Sequence, residues 1–158
     1  MPKIEFTKHV VKTDELIPLA MSLIEDVFET YTAKRDRCNK LFEHLLKAAN
    51  DVPIGEKSNI TKMHIDRLFD WLNAPSPTLG CLKNAQDGIN DTHDKYYATD
   101  EQDRDPLEYA SWIADQYHQV VDLYFKYMSY DTKFTSLLEK YDGLLKGDPL
   151  FPVPLPAI

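Results

Sequence analysis

The feature that most constrains the fold is a series of apolar side chains at helical spacing in the first third of the chain. They recur in alternating steps of four and three residues, and only Lys34 interrupts the series: Ala20, Ile24, Val27, Tyr31, Cys38, Leu41, Leu45 and Ala48. This spacing places apolar groups on one face of an α-helix, whereas a half-buried strand would alternate every two residues. The sequence therefore predicts one helix from about Thr13 to Asn50, with a length on the order of 55 Å.

Local signals mark both ends of this first helix. Thr13 can act as an N-cap, and the two acidic residues that follow it suit the positive end of a helix dipole. Asn50, Pro53 and Gly55 are residue types that end helices. Residues 1–12 are therefore expected to form an N-terminal arm, either extended or paired as an edge strand, and no function is assigned to them.

Two shorter helices are predicted in the middle of the chain. The second helix starts near Ser58 and stops at the proline-containing turn of residues 73–77. The third helix follows Thr78 and stops before a polar loop at residues 99–105. Both show apolar residues at steps of three and four, which is the pattern of a helix with one buried face.

The fourth helix has the strongest local start signal in the chain. Asp105 can cap it, Pro106 suits the first helical position, and Glu108 can complete a capping box. The predicted buried stripe runs through Ala110, Ile113, Tyr117, Val121, Tyr124, Met128, Phe134, Leu138, Tyr141 and Leu145. Tyr127 and Tyr130 fall off this stripe, and we therefore expect both to be partly exposed.

These elements predict an all-α domain that spans residues 1–158. Short loops favour antiparallel neighbours, so we expect an elongated up-down four-helix bundle with two long outer and two shorter inner helices. Residues 148–158 contain four prolines and must be extended. We expect this tail to pack on the bundle, and recognition of Pro149-x-x-Pro152 by a partner is the alternative. The uncovered length of the long helices would either bend or bury itself against a partner or a second copy of the chain.

Charge narrows the function classes. The 26 acidic and 18 basic residues leave a net charge of −8, which repels phosphate backbones and anionic membrane surfaces and attracts basic partners. No apolar run is long enough for a membrane helix, and the first residues lack the apolar core of a signal peptide. We therefore expect a cytoplasmic protein whose two cysteines, Cys38 and Cys81, are reduced and buried.

Histidines suggest a metal centre as one alternative. His64 and His93 lie on the predicted buried stripes, and Asp115 and His118 are one helical turn apart, as ligands in a bundle core can be. The paired Glu-x-x-His elements of di-iron bundles are absent from the sequence. The favoured interpretation is therefore that these histidines are hydrogen-bonded core or boundary residues and that the chain needs no cofactor.

A short motif around His44 suggests a second alternative. The segment from His44 to Ala49, His-Leu-Leu-Lys-Ala-Ala, resembles the phosphoacceptor region of histidine-containing phosphotransfer domains, which are acidic helical bundles. The resemblance implies that His44 accepts a phosphoryl group and that Lys47, one turn further on, supports it. That family normally has glycine at the position of Ala48, and the match covers six residues.

A second resemblance involves Arg37 together with His44. The two residues are two helical turns apart and share a face, which is similar to the arginine–histidine element of a helical nucleotide-binding family that includes many toxin ribonucleases. The resemblance implies proton transfer by His44 and stabilisation of phosphate charge by Arg37. The overall negative charge of the chain opposes RNA binding.

The favoured function is stoichiometric binding of a basic protein, without catalysis. Acidic residues cluster around the third loop, and aromatic residues are concentrated in the fourth helix, so an acidic, tyrosine-rich contact face is expected there. Its predicted members are Asp91, Asp94, Asp100, Glu101, Asp103, Tyr127 and Tyr130. An immunity or antitoxin-like protein and an adaptor are the class-level roles that fit such a face.

Overall fold

The computed structural model of the chain is helical. It describes the backbone of residues 2–50, 56–148 and 151–158 and the side chains of residues 12–49, 60–148 and 151–158. The helices in these ranges are α1 (Pro2–Asn50), α2 (Glu56–Asn73), α3 (Ser76–Ala98), α4 (Pro106–Leu138) and α5 (Asp142–Leu145), with 3₁₀ turns at Glu101–Asp103 and Glu139–Tyr141. These ranges contain no β-strand, which confirms the predicted all-α class. No helix within them is long and apolar enough to cross a membrane.

The start of α1 differs from the prediction. Helix α1 begins at Pro2, so the expected N-terminal arm at residues 1–12 is wrong. Pro2 suits the first turn of a helix, and neither glycine nor proline follows it before Pro18. Thr13 is a buried residue inside the helix instead of its cap. Pro18 is also inside α1, on an exposed side where water can replace the missing amide donor.

The predicted end of the first helix is confirmed in part. Helix α1 ends at Asn50, as expected, whereas Pro53 and Gly55 lie outside the described residues. Helix α4 begins at Pro106, and the Glu108 amide donates a hydrogen bond to Asp105 Oδ1 at 3.1 Å, which confirms the predicted cap. The sequence signals that depend on near neighbours in the chain were therefore informative at these two positions.

Helix α5 ends in a turn that contains Gly147. A 3₁₀ turn and α5 follow α4, and Gly147 then adopts a positive φ of 93°, which residues with a Cβ rarely adopt. The Asp148 amide donates to the Gly143 carbonyl at 2.9 Å, so the turn satisfies a backbone group that the helix end would otherwise leave free.

The chain divides into two compact units. Unit 1 comprises Met1–Phe28 and Pro77–Tyr127, and it therefore contains the first part of α1, most of α3 and most of α4. The core residues that the structure describes in unit 1 come from all three segments: Ala20, Ile24, Val27, Leu79, Leu82, Ala85, Ile89, Tyr109, Ile113, Val120 and Tyr127. Unit 2 comprises Glu29–Ser76 and Met128–Ile158. Its core contains Cys38, Leu41, Leu45, Leu68, Trp71, Leu72, Phe134, Leu138, Tyr141, Leu144 and Leu155.

The proline-rich tail belongs to unit 2. Leu155 is only 2% exposed, and the Trp71 indole Nε1–H donates to the Pro156 carbonyl at 2.8 Å. The tail therefore packs against helical residues of its own chain, as the sequence predicted. The structure describes only part of the Pro149-x-x-Pro152 element, because Pro149 lies outside the described residues.

Lys34, which interrupts the apolar series of α1, is buried in unit 2. Its Nζ donates to Thr135 Oγ1 and lies 3.6 Å from Asp131 Oδ1. A buried ammonium group is tolerated where a carboxylate and a hydrogen-bond acceptor compensate its lost hydration. The lysine therefore continues the buried face of α1 instead of breaking it.

The two cysteines differ in burial. Cys38 is buried in the core of unit 2, and burial raises the pKa of its thiol to about 11. The expectation that Cys81 is buried is wrong, because this residue is exposed on α3. A thiol with a raised pKa is seldom the reactive thiolate, so Cys38 has the character of a core residue.

Candidate functional site

An acidic surface lies in unit 1, where α3 ends and α4 begins. From Asp91 to Glu108 the chain carries seven carboxylates and only two basic side chains, Lys95 and Arg104. The five predicted acidic contact residues are all exposed and lie in this stretch: Asp91, Asp94, Asp100, Glu101 and Asp103. The structure therefore places the predicted acidic residues on one continuous segment of a single unit.

A pocket of about 410 Å³ opens within this acidic surface. Its lining includes three aromatic side chains, Tyr96, Tyr109 and Trp112, and three carboxylates, Asp103, Asp105 and Glu108. A volume in this range is typical of small-ligand sites, which extend from about 300 to 1,000 Å³. We name this feature the aromatic–acidic pocket.

Ring stacking forms the aromatic wall of the pocket. The Tyr96 and Tyr109 rings are parallel, with centroids 4.0 Å apart and an interplanar angle of 9°. Tyr97 meets both rings edge-on, at centroid distances of 5.1 and 6.3 Å. Trp112 packs against Gly88 so closely that a methyl group added at Gly88 would lie 3.3 Å from the indole. The wall is therefore held together by α3 and α4.

Asp14 of α1 connects two of these tyrosines. The Tyr109 hydroxyl donates to Asp14 Oδ1 at 2.8 Å, and the Tyr97 hydroxyl donates to Asp14 Oδ2. Burial, together with these hydrogen bonds to a carboxylate, raises the pKa of Tyr97 to about 12 and raises the pKa of Tyr109 further. Both phenols are therefore neutral hydrogen-bond donors at physiological pH, and the aromatic wall carries no charge of its own.

Arg104 already shows how a cation binds to these rings. Its guanidinium carbon lies 5.4 Å from the Tyr96 centroid and 5.3 Å from the Tyr97 centroid, within the range of cation–π attraction. Its Nε–H donates to the Thr99 carbonyl at 2.9 Å, and an Nη–H donates to the Tyr97 carbonyl at 3.1 Å. The guanidinium therefore caps the C-terminal end of α3, where the helix dipole is negative.

No ion pair among the described side chains involves the three pocket carboxylates. The ion pairs among the described side chains are Lys34–Asp131, Arg37–Asp142, Lys83–Asp87 and His93–Asp94. Asp103, Asp105 and Glu108 belong to none of these pairs, although Lys95 and Arg104 also line the pocket. Their negative charge is therefore available to a ligand.

Neither of the two tyrosines predicted for the contact face lines the aromatic–acidic pocket. Tyr127 is only 2% exposed in the core of unit 1, so the prediction of an exposed Tyr127 is wrong. Tyr130 is half-buried in unit 2, where its hydroxyl donates to the Trp71 carbonyl and its ring stacks on Trp71 at 5.5 Å. The aromatic members of the site are instead Tyr96, Tyr109 and Trp112.

The four residues of the metal alternative are not brought together. His64 is buried in unit 2, where its Nδ1 lies within hydrogen-bond distance of the Tyr141 hydroxyl oxygen, at 2.7 Å, whereas His93, Asp115 and His118 lie in unit 1. His93 contacts Asp94 at 3.3 Å, and His118 is exposed. The side chains that the structure describes include no group of three or more residues suited to hold a metal ion.

Two contacts in the structure bear on the hypotheses that give His44 a chemical role. His44 is half-buried on α1, and its Nδ1 lies 2.8 Å from the Lys40 carbonyl, which fixes Nδ1 as the protonated nitrogen. Lys47 is exposed one turn further on. Arg37 donates to Asp142 Oδ1 at 3.1 Å, so the guanidinium that the ribonuclease-type hypothesis needs for phosphate is paired with a carboxylate.

Sequence reasoning missed Asp14 and the role of the aromatic residues that flank the acidic loop. Tyr96 precedes the loop, and Tyr109 and Trp112 follow it. Aromatic residues on both sides of the acidic loop are therefore a sequence signal for this site. Asp14 could not be found in this way, since it is 83 residues from Tyr97. No protein-family model, curated protein or solved structure matches the chain.

Proposed function

We propose that this chain is a non-catalytic protein-interaction module that binds a basic partner through the acidic surface of unit 1. The observation that carries the proposal is the aromatic–acidic pocket, where carboxylates without ion-pair partners among the described residues line the same cavity as neutral aromatic rings. Aromatic residues contribute much of the energy of protein interfaces, and complementary charge steers and orients the partner.

The exposed carboxylates outside the pocket support the same function. Asp91, Asp94, Asp100 and Glu101 extend the negative field along the segment that contains the pocket. Such a field accelerates encounter with a basic surface, and its effect decreases with ionic strength. Neutralisation of a basic toxin and adaptation of one protein to another are the two roles we propose for a binder of this kind, in the cytoplasm.

The first test is an affinity capture from cells that compares two triple variants. Asp100→Lys, Glu101→Lys and Asp103→Lys together reverse the charge of the acidic surface of unit 1. Asp36→Lys, Glu43→Lys and Asp66→Lys make the same change of net charge at exposed positions of unit 2. We expect a basic protein to be retained at near-stoichiometric amounts by the wild type and by the unit 2 variant, and to be lost from the unit 1 variant.

The proposal fails if both variants retain the same proteins as the wild type, because the acidic surface would then contribute nothing specific. It also fails if the bait retrieves only further copies of this chain, since the surface would then serve self-association. Release by salt is expected for the proposed partner, because exposed charges are screened over about 10 Å at 0.1 M ionic strength.

A further inference from the structure

We infer that the aromatic–acidic pocket binds one arginine side chain of the partner. This inference rests on the proposed function and specifies the chemistry that the pocket recognises. A guanidinium group can lie against the face of a tyrosine or tryptophan ring and donate to carboxylates at the same time. The pocket offers both features, because Tyr96, Tyr109 and Trp112 line it together with Asp103, Asp105 and Glu108.

The chain's own Arg104 supports arginine as the ligand group. Its guanidinium lies over Tyr96 and Tyr97 at 5.4 and 5.3 Å, which shows that this cluster of rings accepts a planar cation. Arg104 donates to the carbonyls of Thr99 and Tyr97, and it belongs to none of the ion pairs among the described residues. The pocket carboxylates therefore form no ion pair with Arg104 or Lys95, the two basic side chains that line the pocket.

The geometry of the carboxylates favours a charged and directional donor. Asp105 Oδ1 already accepts the Glu108 amide at 3.1 Å as the cap of α4, which holds Asp105 at the rim of the pocket. Glu108 is exposed in the first turn of the same helix. A guanidinium has five donor N–H groups in a fixed plane and can bridge such carboxylates, whereas an ammonium group is a compact and strongly hydrated charge.

The pocket must also remain open at its aromatic side. Trp112 is half-buried, with its ring against Gly88, so part of the indole remains accessible within the pocket. Tyr109 is nearly fully buried and supports Tyr96 by stacking. The ligand guanidinium is therefore expected to lie near Trp112 and Glu108, apart from the position that Arg104 holds over Tyr96 and Tyr97.

Nuclear magnetic resonance gives a direct test without knowledge of the partner. The probe is N-acetyl-arginine methylamide, and the matched control is the citrulline analogue, which has nearly the same shape without the charge. The chain has two tryptophans, so the indole signal of Trp112 reports on the pocket and that of buried Trp71 serves as an internal reference. We expect the arginine probe to shift the Trp112 signal saturably, with the citrulline probe binding about ten-fold more weakly.

A variant pair locates the binding. Glu108→Gln removes a pocket charge, whereas Glu25→Gln removes an exposed charge on α1 of the same unit. We expect Glu108→Gln to weaken the arginine probe about three- to ten-fold, and Glu25→Gln to leave its affinity unchanged. Equal binding of the two probes, or equal effects of the two variants, would overturn the inference.

The outcome separates this inference from the proposed function. If the arginine probe does not shift Trp112 while the unit 1 charge reversal still abolishes capture of a basic partner, the pocket inference is wrong and the interaction function stands. If the arginine probe binds at Trp112 while capture of a partner is unaffected by the charge reversal, the proposed function is wrong, and the inference that a partner's arginine occupies the pocket falls with it.

Discussion

Unit 1 and unit 2 use the same kinds of aromatic side chain for different purposes. In unit 2, Trp71, Phe134 and Tyr141 are buried in a closed core that the proline-rich tail completes. In unit 1, Tyr96 and Trp112 line an open pocket with carboxylates around it. The difference lies in the polar partners. The indole and phenol groups of unit 2 bond to backbone carbonyls and His64, whereas the three pocket carboxylates of unit 1 form no ion pair with any described side chain. Aromatic content alone therefore does not identify a binding face.

The largest difference is expected from truncation of the two tryptophans. Trp71→Ala removes a side chain that is 4% exposed in the core of unit 2, and we expect a loss of about 3–5 kcal/mol in the free energy of unfolding. Trp112→Ala removes a half-buried side chain and should cost about half as much or less, while it abolishes binding of the arginine probe. Urea unfolding of both variants measures the difference, and equal losses would contradict the contrast between a closed core and an open pocket.

The contribution of the tail is testable with two residues that lie close together. Leu155→Ala should lower the free energy of unfolding by about 2–4 kcal/mol, because Leu155 is 2% exposed and belongs to the core of unit 2. Val153→Ala is the matched control, since Val153 is 75% exposed and should change stability by less than about 0.5 kcal/mol. If both substitutions are neutral, the tail does not contribute to the core.

The polar group inside unit 2 predicts a dependence of stability on pH. His64 Nδ1 lies 2.7 Å from the Tyr141 hydroxyl oxygen, so a hydrogen bond joins the imidazole to the phenol inside unit 2. Nε2 is buried and has no hydrogen-bond partner among the described residues, and burial lowers the pKa of His64 below its ordinary value of 6.5. The unfolded chain therefore binds a proton at a higher pH than the folded chain does. The contribution of His64 to the free energy of unfolding should be fully present above pH 6.5 and should decrease as the pH falls. The decrease is about 1.4 kcal/mol for each pH unit over which only the unfolded state is protonated.

Unfolding of wild type and His64→Leu between pH 7.5 and 5.5 measures this dependence. The wild type should lose stability over this range, and the variant should have a flatter profile at whatever absolute stability it retains. His118→Leu is the control, because His118 is exposed in unit 1 and its replacement leaves the buried core of unit 2 unchanged. A profile for His64→Leu with the same slope as that of the wild type would show that His64 is not the responsible group.

A smaller effect is expected at the carboxylate that connects the tyrosines of unit 1. Asp14→Asn keeps one acceptor oxygen but removes the charge, and it should cost about 1 kcal/mol of stability. Burial and the Asp14 carboxylate raise the pKa of Tyr97 to about 12 and that of Tyr109 further, so the variant should ionise these phenols at lower pH. Absorbance at about 295 nm follows ionisation of the phenols to the phenolate form. Burial alone accounts for the raised pKa values if the titration is unchanged.

The raised pKa values of the tyrosines also predict how the free energy of unfolding changes at high pH. A tyrosine with a raised folded-state pKa contributes stability that is present below pH 10 and is lost as the pH rises through its folded pKa. Tyr141 of unit 2, whose pKa burial raises to about 12, should behave in this respect like Tyr97 of unit 1. Asp14→Asn should reduce only the contribution of unit 1, which makes Tyr141 the internal comparison.

Local signals in the sequence predicted the features that depend on near neighbours. The Asp105–Pro106 start of α4 and the Asn50 end of α1 are confirmed because caps and helix-breaking residues act within a few positions. The cap predicted at Thr13 is wrong because the helix continues in both directions around this residue. A local cap signal cannot tell whether the preceding residues are themselves helical.

The phase of the buried stripe in α4 shows a different limit. The sequence predicts a stripe through Tyr124 and Met128, whereas four buried residues of α4 recur every seven positions: Ile113, Val120, Tyr127 and Phe134. A straight helix drifts by about 20° per heptad relative to such a repeat, so a stripe that is extrapolated from one end loses its phase. The extrapolated stripe therefore predicts a partly exposed Tyr127, although this residue is in the core of unit 1.

The candidate site was predictable in its charge but not in its geometry. The acidic loop residues are exposed as expected, because a run of carboxylates without apolar periodicity has no buried face. The stacking of Tyr96 on Tyr109 and the hydrogen bonds to Asp14 are tertiary contacts between three helical segments. No spacing rule within one segment could have identified them.

Collisional quenching of the two tryptophans tests the central contrast most directly. Trp71→Phe and Trp112→Phe each leave a single indole. Caesium and iodide ions both quench indole fluorescence, and they carry opposite charges. We predict that Trp112 is quenched more by caesium than by iodide, because its open pocket is lined by carboxylates, and that Trp71 is hardly quenched by either. Equal protection of both indoles, or stronger quenching of Trp112 by iodide, would contradict an open, negatively charged aromatic site in unit 1.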